Sequence, residues 1–386
     1  MPSNRVMVVC FELSHCQMYV IDLINLLLRM GKQVHVVEQC RIGTDLQESS
    51  VHRPNNNILA PNKDLVLHPL SGPEQTCLNQ LIRRQSCRTV FFACKDGENR
   101  LCIESQIPAL SIFILQSNYE NIPRKTRDII KFFNILVGTG HHSFSKLQAL
   151  GFKKPVRMIL PKLLKKQYNS TSADCAKAAL GINPSRFVFL MDVNETPEIK
   201  SVDTVIQAYA QCQKKVPGFR EKAMLLINAA PTIQLVNILK LESFTPEEVS
   251  VHTQYYSNGM DKNEALLNHL IAAADVVINV AGGIDFDTHL FLSQEYKKLV
   301  IFRDSTVIRK YCIHGLPIKQ EQIYFDGLTQ GILQLPSIAN LKQAMQLVLE
   351  QYRKFAISET TVTRIQALRS MYDQFEKDWQ RYISLI

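Results

Sequence analysis

Three side chains of types that do chemistry stand within a five-residue stretch: Asp285, Asp287 and His289. They follow the apolar run from Asp275 to Val280 and a glycine pair, Gly282 and Gly283. A helix beginning about Thr288 and a second apolar strand at Leu299 to Phe302 complete a strand–turn–helix–strand unit. A turn of this kind aims backbone N–H groups and a helix N-terminus at whatever lies above the strand, which suits a phosphate. Two carboxylates there repel a phosphate, but a carboxylate accepts paired hydrogen bonds from a diol. His289 at the helix start either donates to a phosphate or serves as a plain polar group of the N-cap region.

A second group of candidates is His141 and His142, which follow Gly-Thr-Gly at a strand end. They suit the phosphate of an acceptor, or form an ordinary surface pair. The run GTGHHS is a truncated G-x-G-x-x-G, but it is not on the first strand and no acidic residue follows about 20 positions on, so it is a weak dinucleotide signal. No P-loop, H-E-x-x-H or G-x-S-x-G occurs. The 10 cysteines are dispersed, with no C-x-x-C pair and no zinc-like spacing, and read as reduced thiols of a cytosolic protein.

The elements that must position these groups alternate. RVMVVCFEL (5–13), QMYVIDLINLLLRM (17–30) and KQVHVVEQ (32–39) read as strand, amphipathic helix stopped by Gly31, and strand. Apolar strands recur at 64–70, 88–95, 109–116, 134–140 and 156–161. After a polar, basic connector at 162–185 the pattern restarts, with strands at 186–193 and 222–230 and helices at 201–215, 262–274 and 341–355. One or two further helices follow from Glu359 to the end. Near-continuous apolar strands separated by helices argue for parallel sheets covered on both faces, here two α/β domains in tandem.

With 386 residues, 46% hydrophobic and 20% charged, the composition is that of a globular chain, neither disordered nor membrane-embedded. No apolar run reaches the ~18–20 residues of a spanning helix, and the N-terminal run is broken at Glu12, wrongly flanked for a signal peptide. A cytoplasmic protein, able to sit peripherally at a membrane, is the expectation. The net charge of +9 is uneven: residues 1–180 carry 23 Lys and Arg against 13 Asp and Glu, whereas the remainder is close to neutral. That first half is either a solvated basic face or the seat of an anionic partner, such as an anionic lipid or a phosphorylated acceptor. Nucleic acid ranks last, because no reading helix or aromatic–basic motif accompanies the charge.

Several stretches resemble the retaining glycosyltransferases of family 4, which have the two-domain GT-B fold. RFVFLMDVNETPEIKSVDTVIQAYA (186–210) resembles the first strand and helix of that family's donor domain, where an Arg-Lys pair follows the strand. Ala274 to Ile301 resembles its E-G-F-G-L-P…E loop and helix, 325–350 the segment that follows, and FEKDWQRYISLI (375–386) its terminal helix with a tryptophan. GKQVHVVE (31–38) and HHSFSKLQALGF (141–152) match the acceptor domain more loosely.

The resemblance implies two doubly wound Rossmann-like domains facing each other across a cleft: an acceptor-side domain at 1–165, a nucleotide-sugar domain at 166–358, and a helical segment at 359–386 returning toward the first. It implies transfer of a hexose from a nucleotide-sugar co-substrate with retention, and neither a metal nor another cofactor. Donor contacts carried over are Asn194, Lys200, Asp285, Phe286, Asp287, Thr288, His289 and Glu295, with Asp287 as the catalytic candidate; His15, His141 and His142 fall on the acceptor side. His15 stands where the family has loop glycines, which narrows the crevice. Lys200 fits a diphosphate contact or a solvated lysine at a helix start.

The motif itself is altered. Ile199 replaces the arginine, Ile284 and Leu292 fall on the two motif glutamates, and Asp285 and Asp287 fall on the loop glycines. Two readings stay open: the aspartates have taken over sugar binding in a shifted loop, or the site is lost and the chain is a binding or scaffold protein. Asp287 and Glu295 reproduce the eight-residue spacing of the missing glutamates, although Glu295 stands only five residues before Val300 in the closing strand.

Overall fold

The computed structural model of the chain describes residues 5–11, 18–39, 64–70, 78–95, 103, 107–116, 121–163, 172–193, 201–229, 244–245, 247–253, 260–280, 286–326 and 331–384. The described chain divides into two compact units. The first comprises Met1–Lys162, Phe325–Ile332 and Gln374–Ile386, and the second Leu163–Tyr324 and Leu333–Asp373.

The first unit runs β1 (Arg5–Phe11), α1 (Met18–Arg29), β2 (Gln33–Gln39), β3 (Leu65–Leu70), α2 (Leu78–Gln85), β4 (Thr89–Lys95), β5 (Leu110–Gln116), α3 (Arg124–Ile130), β6 (Ile135–Gly138), α4 (His141–Ala149) and β7 (Val156–Met158). Its seven strands form one sheet in the order β3-β2-β1-β4-β5-β6-β7, parallel throughout. Apolar strands such as TVFFACK and LSIFILQ are needed here, because helices on both faces leave no wet side. Gly31, at φ +70°, ends α1 in the left-handed conformation that glycine adopts without strain, while Lys32 N donates to Leu27 O at 3.1 Å. Gly138 serves closeness instead, since a Cβ there would stand 2.5 Å from Phe144 N of α4.

The second unit runs α5 (Ala173–Ala179), β8 (Phe187–Val193), α6 (Val202–Lys215), α7 (Phe219–Lys222), β9 (Ala223–Ala229), β10 (Val249–Thr253), α8 (Met260–Ala273), β11 (Val276–Asn279), α9 (Thr288–Glu295), β12 (Leu299–Arg303) and β13 (Gly315–Ile318). Strands β14 (Gln320–Asp326) and β15 (Gly331–Pro336) pair as a separate two-stranded sheet, and α10 (Ile338–Gln351), α11 (Glu359–Tyr372) and α12 (Phe375–Ile383) follow. The six-stranded sheet has the order β10-β9-β8-β11-β12-β13, again parallel throughout. Its core packs Phe189, Met191 and Val193 of β8 against Val205 and Tyr209 of α6 and Met345 and Val348 of α10. Lys177 of α5 is buried and bonds Asp275 Oδ2 at 2.8 Å and Arg186 O at 2.8 Å.

The helix expected at 341–355 begins at Ile338, because Ser337 Oγ accepts from Asn340 N at 3.2 Å and caps it, and its last residues, Tyr352–Phe355, tighten into a 3-10 turn. The terminal segment forms two helices. Trp379 of α12 is fully buried in the first unit, edge-on to Phe91 of β4 at 5.5 Å and to Tyr19 of α1 at 6.2 Å. Among the described residues, no helix is long and apolar enough to cross a membrane.

Candidate functional site at the carboxyl edge of the second sheet

Three adjacent strands of the second sheet each place a polar residue at the same level near their carboxyl ends. The register sets Asp192 of β8 opposite Asn228 of β9. On the other side, Ile278 pairs with Met191, so Asn279 of β11 stands level with Asp192. These are single polar positions in runs otherwise made of apolar, mostly buried residues. The carboxyl edge of an open parallel sheet is where such folds bind ligands, since helix N-termini and loops converge there.

The polar groups form two linked sets. Asn228 Nδ2 donates to Asp192 Oδ1 at 2.5 Å, and His289 Nδ1 lies 2.5 Å from Asp192 Oδ2. His289 belongs to the first turn of α9, so this contact ties the helix start to β8. In the second set, Asp287 is the N-cap of α9: Oδ1 accepts from His289 N at 2.8 Å and Leu290 N at 3.0 Å, while Oδ2 accepts from Asn279 Nδ2 at 2.6 Å. A side-chain cap of this kind stabilises a helix by ~1 kcal/mol. Ser201, buried in the left-handed region at φ 56°, is the N-cap of α6 and donates from Oγ to Val280 O at 3.4 Å, joining the start of α6 to the residue after β11. On the next strand, β12 ends at Arg303, which is buried.

The residues singled out in the sequence separate into distinct environments. Asp287 and His289 lie in the polar set, and Thr288 is the first residue of α9. Phe286 is a core residue, with its ring centroid 4.8 Å from that of Tyr311 and 5.3 Å from that of Tyr372. Glu295 stands at the far end of α9 from Asp287, ~12 Å along the helix axis, and its Oε2 accepts from Arg369 Nη1 of α11 at 2.7 Å. The eight-residue spacing of Asp287 and Glu295 therefore spans the helix without bringing the two carboxylates to one point. His141 and His142 form the first turn of α4 at the carboxyl end of β6, half-buried, in the first unit. His15, Asn194, Lys200 and Asp285 lie outside the described residues. Among the described residues, no group of three or more His, Cys, Asp and Glu could hold a metal ion.

Asp192, Asn228 and Asn279 were not reached from the sequence. The signal was present in FVFLMDV, AMLLINA and VVIN, each of which carries a polar residue at or next to the end of an apolar strand. Reading it requires knowing that the three strands are neighbours.

No family model matches the sequence, and no curated protein matches it. Solved structures do match in shape. Sucrose-phosphate synthase from Thermosynechococcus elongatus superposes with a TM-score of 0.66 at 14% identity, covering 99% of this chain and 100% of that one. WaaG, a glycosyltransferase involved in lipopolysaccharide biosynthesis, gives 0.63 at 12%, covering 97% and 98%. The pneumococcal O-GlcNAc transferase GtfA in complex with UDP and GlcNAc gives 0.51 at 9%, covering 80% of this chain and 59% of that one. The two parallel-sheet Rossmann-like units are thus those of the GT-B glycosyltransferase fold, and at these identities the likeness defines the fold alone.

Proposed function

We propose that the chain handles a nucleotide-activated sugar in the manner of a retaining glycosyltransferase of family 4, with the donor at the carboxyl edge of β9, β8 and β11. The observation that carries this reading is the convergence of Asn228, Asp192, Asn279 and His289 on that edge, in a sheet of GT-B type. UDP in the GtfA complex makes uridine nucleotides the first donors to try. Lys200 is assigned to the donor diphosphate and Asp285 to the sugar hydroxyls. An acceptor carrying phosphate, or one presented by an anionic lipid surface, suits the basic first half.

A second reading, binding without transfer, is favoured by one feature: Asp287 and Glu295 are both committed to contacts inside the fold. Calorimetric titration with a panel of nucleotide sugars, run beside a donor-hydrolysis assay, separates the two. The transferase reading expects binding with turnover, and loss of ~1.5–3 kcal/mol of binding in Lys200→Ala, the value of a hydrogen bond to a charged group. Binding without turnover selects the second reading. Absence of heat with every nucleotide sugar rejects both.

A further inference from the structure

The N-terminus of α9 stands where a fold of this kind offers backbone N–H groups to a ligand phosphate, and the chain has filled that place itself. Three donors converge on one carboxylate: His289 N at 2.8 Å, Leu290 N at 3.0 Å and Asn279 Nδ2 at 2.6 Å from the oxygens of Asp287. Two come from the helix start and one from the end of the strand before it. That is more than a cap requires, since an N-cap side chain needs only the helix N–H groups. It is the donor set that would otherwise cradle an anion at a helix N-terminus. Asp287 is 7% exposed, so a second anion there would meet a charge little screened by water.

An independent observation marks the same edge. Asn228 is fully buried, its Nδ2 is used by Asp192, and its Oδ1 has no hydrogen-bond partner among the described residues. Buried polar atoms are ordinarily paired, so an acceptor left over beside Asp192 is one that a ligand or water would satisfy.

We infer that Asp287 is a specificity-determining residue: its carboxylate takes the position of a ligand phosphate, so the crevice holds a donor's diphosphate away from α9. The inference deepens the donor reading above. It implies that the polar row on β9, β8 and β11 is left for uncharged, hydroxyl-bearing parts of the ligand.

The test uses the full chain as wild type, Asp287→Asn and Asp287→Ser, titrated calorimetrically with UDP, inorganic pyrophosphate and uridine. Asn and Ser are both favoured N-caps, so α9 keeps its start while the charge is removed; a thermal melt checks each variant. The expected result is a gain of about tenfold or more for UDP and pyrophosphate in at least one variant, because the little-screened charge that repels the phosphate is gone. Uridine affinity stays as in wild type. No gain in either folded variant, or an equal gain for uridine, overturns the inference. The two proposals fail separately. A wild type that binds nucleotide sugars, with variants that gain nothing, leaves the donor reading and removes this one. A wild type that binds none, with a variant that takes up pyrophosphate, does the reverse.

Discussion

His289 Nδ1 and Asp192 Oδ2 stand 2.5 Å apart across 97 residues of sequence, which locks the first turn of α9 to the end of β8. Asp192 also accepts from Asn228, so it joins a helix and two strands at the carboxyl edge of the sheet. Replacing Asp192 with Ala takes this carboxylate from the buried Asn228 amide and the half-buried His289 ring, at ~1–3 kcal/mol for the buried amide. Urea denaturation of Asp192→Ala, His289→Ala and the double variant yields the coupling energy; a value of ~1 kcal/mol or more is expected, and strict additivity contradicts the contact.

Lys177 in α5 is 4% exposed and bonded to Asp275 Oδ2, which also accepts from Val188 N at 2.8 Å. Removing the lysine leaves the partly exposed Asp275, just before β11, with the Val188 N–H but without its cation. Lys177→Met is expected to destabilise the second unit by ~1.5–3 kcal/mol, the value of a hydrogen bond to a charged group, since only the lysine of the pair is buried. Replacing both partners, Lys177→Met with Asp275→Asn, recovers part of that loss in the same measurement.

Trp379 is the only tryptophan in the chain, and it is fully buried in the first unit. Its fluorescence reports that unit alone, whereas far-ultraviolet circular dichroism reports both. Lys177→Met is therefore expected to shift the dichroism transition more than the fluorescence transition. Trp379→Phe, with its smaller ring, is expected to cost less than the ~3–5 kcal/mol of Trp379→Ala, measured by denaturant titration of the first unit.

Burial lowers the pKa of both His252 and His314, so each binds a proton more weakly folded than unfolded. The unfolded chain then holds more protons once the pH drops below the ordinary histidine value of ~6.5, and stability falls as the pH falls through that range. Above it the effect is absent. A His252→Gln, His314→Gln variant should show a flatter dependence of melting temperature between about pH 6.5 and 5, and an unchanged slope would show that these two groups are not responsible.

The alternation of apolar strands and helices determined the fold class from sequence alone, because a strand buried on both faces must be apolar along its length, as FVFLMDV and LSIFILQ are. The start of α9 is equally local: the glycine turn before Thr288 and the apolar run after it are neighbours in the chain. Strands Val249–Thr253 and Gly315–Ile318 escaped, since VSVHT and GLPI mix polar or turn-forming residues with few apolar ones and read locally as loop. The polar row was not legible for a different reason. Asn228, Asp192 and Asn279 are level only because the sheet orders its strands β9-β8-β11, and strand order is set by long-range packing, not by any one segment. The same holds for the carboxylates. Sequence spacing made Asp287 and Glu295 a pair; the helix between them and the partners at either end, Asn279 and Arg369, assigned them to separate tasks.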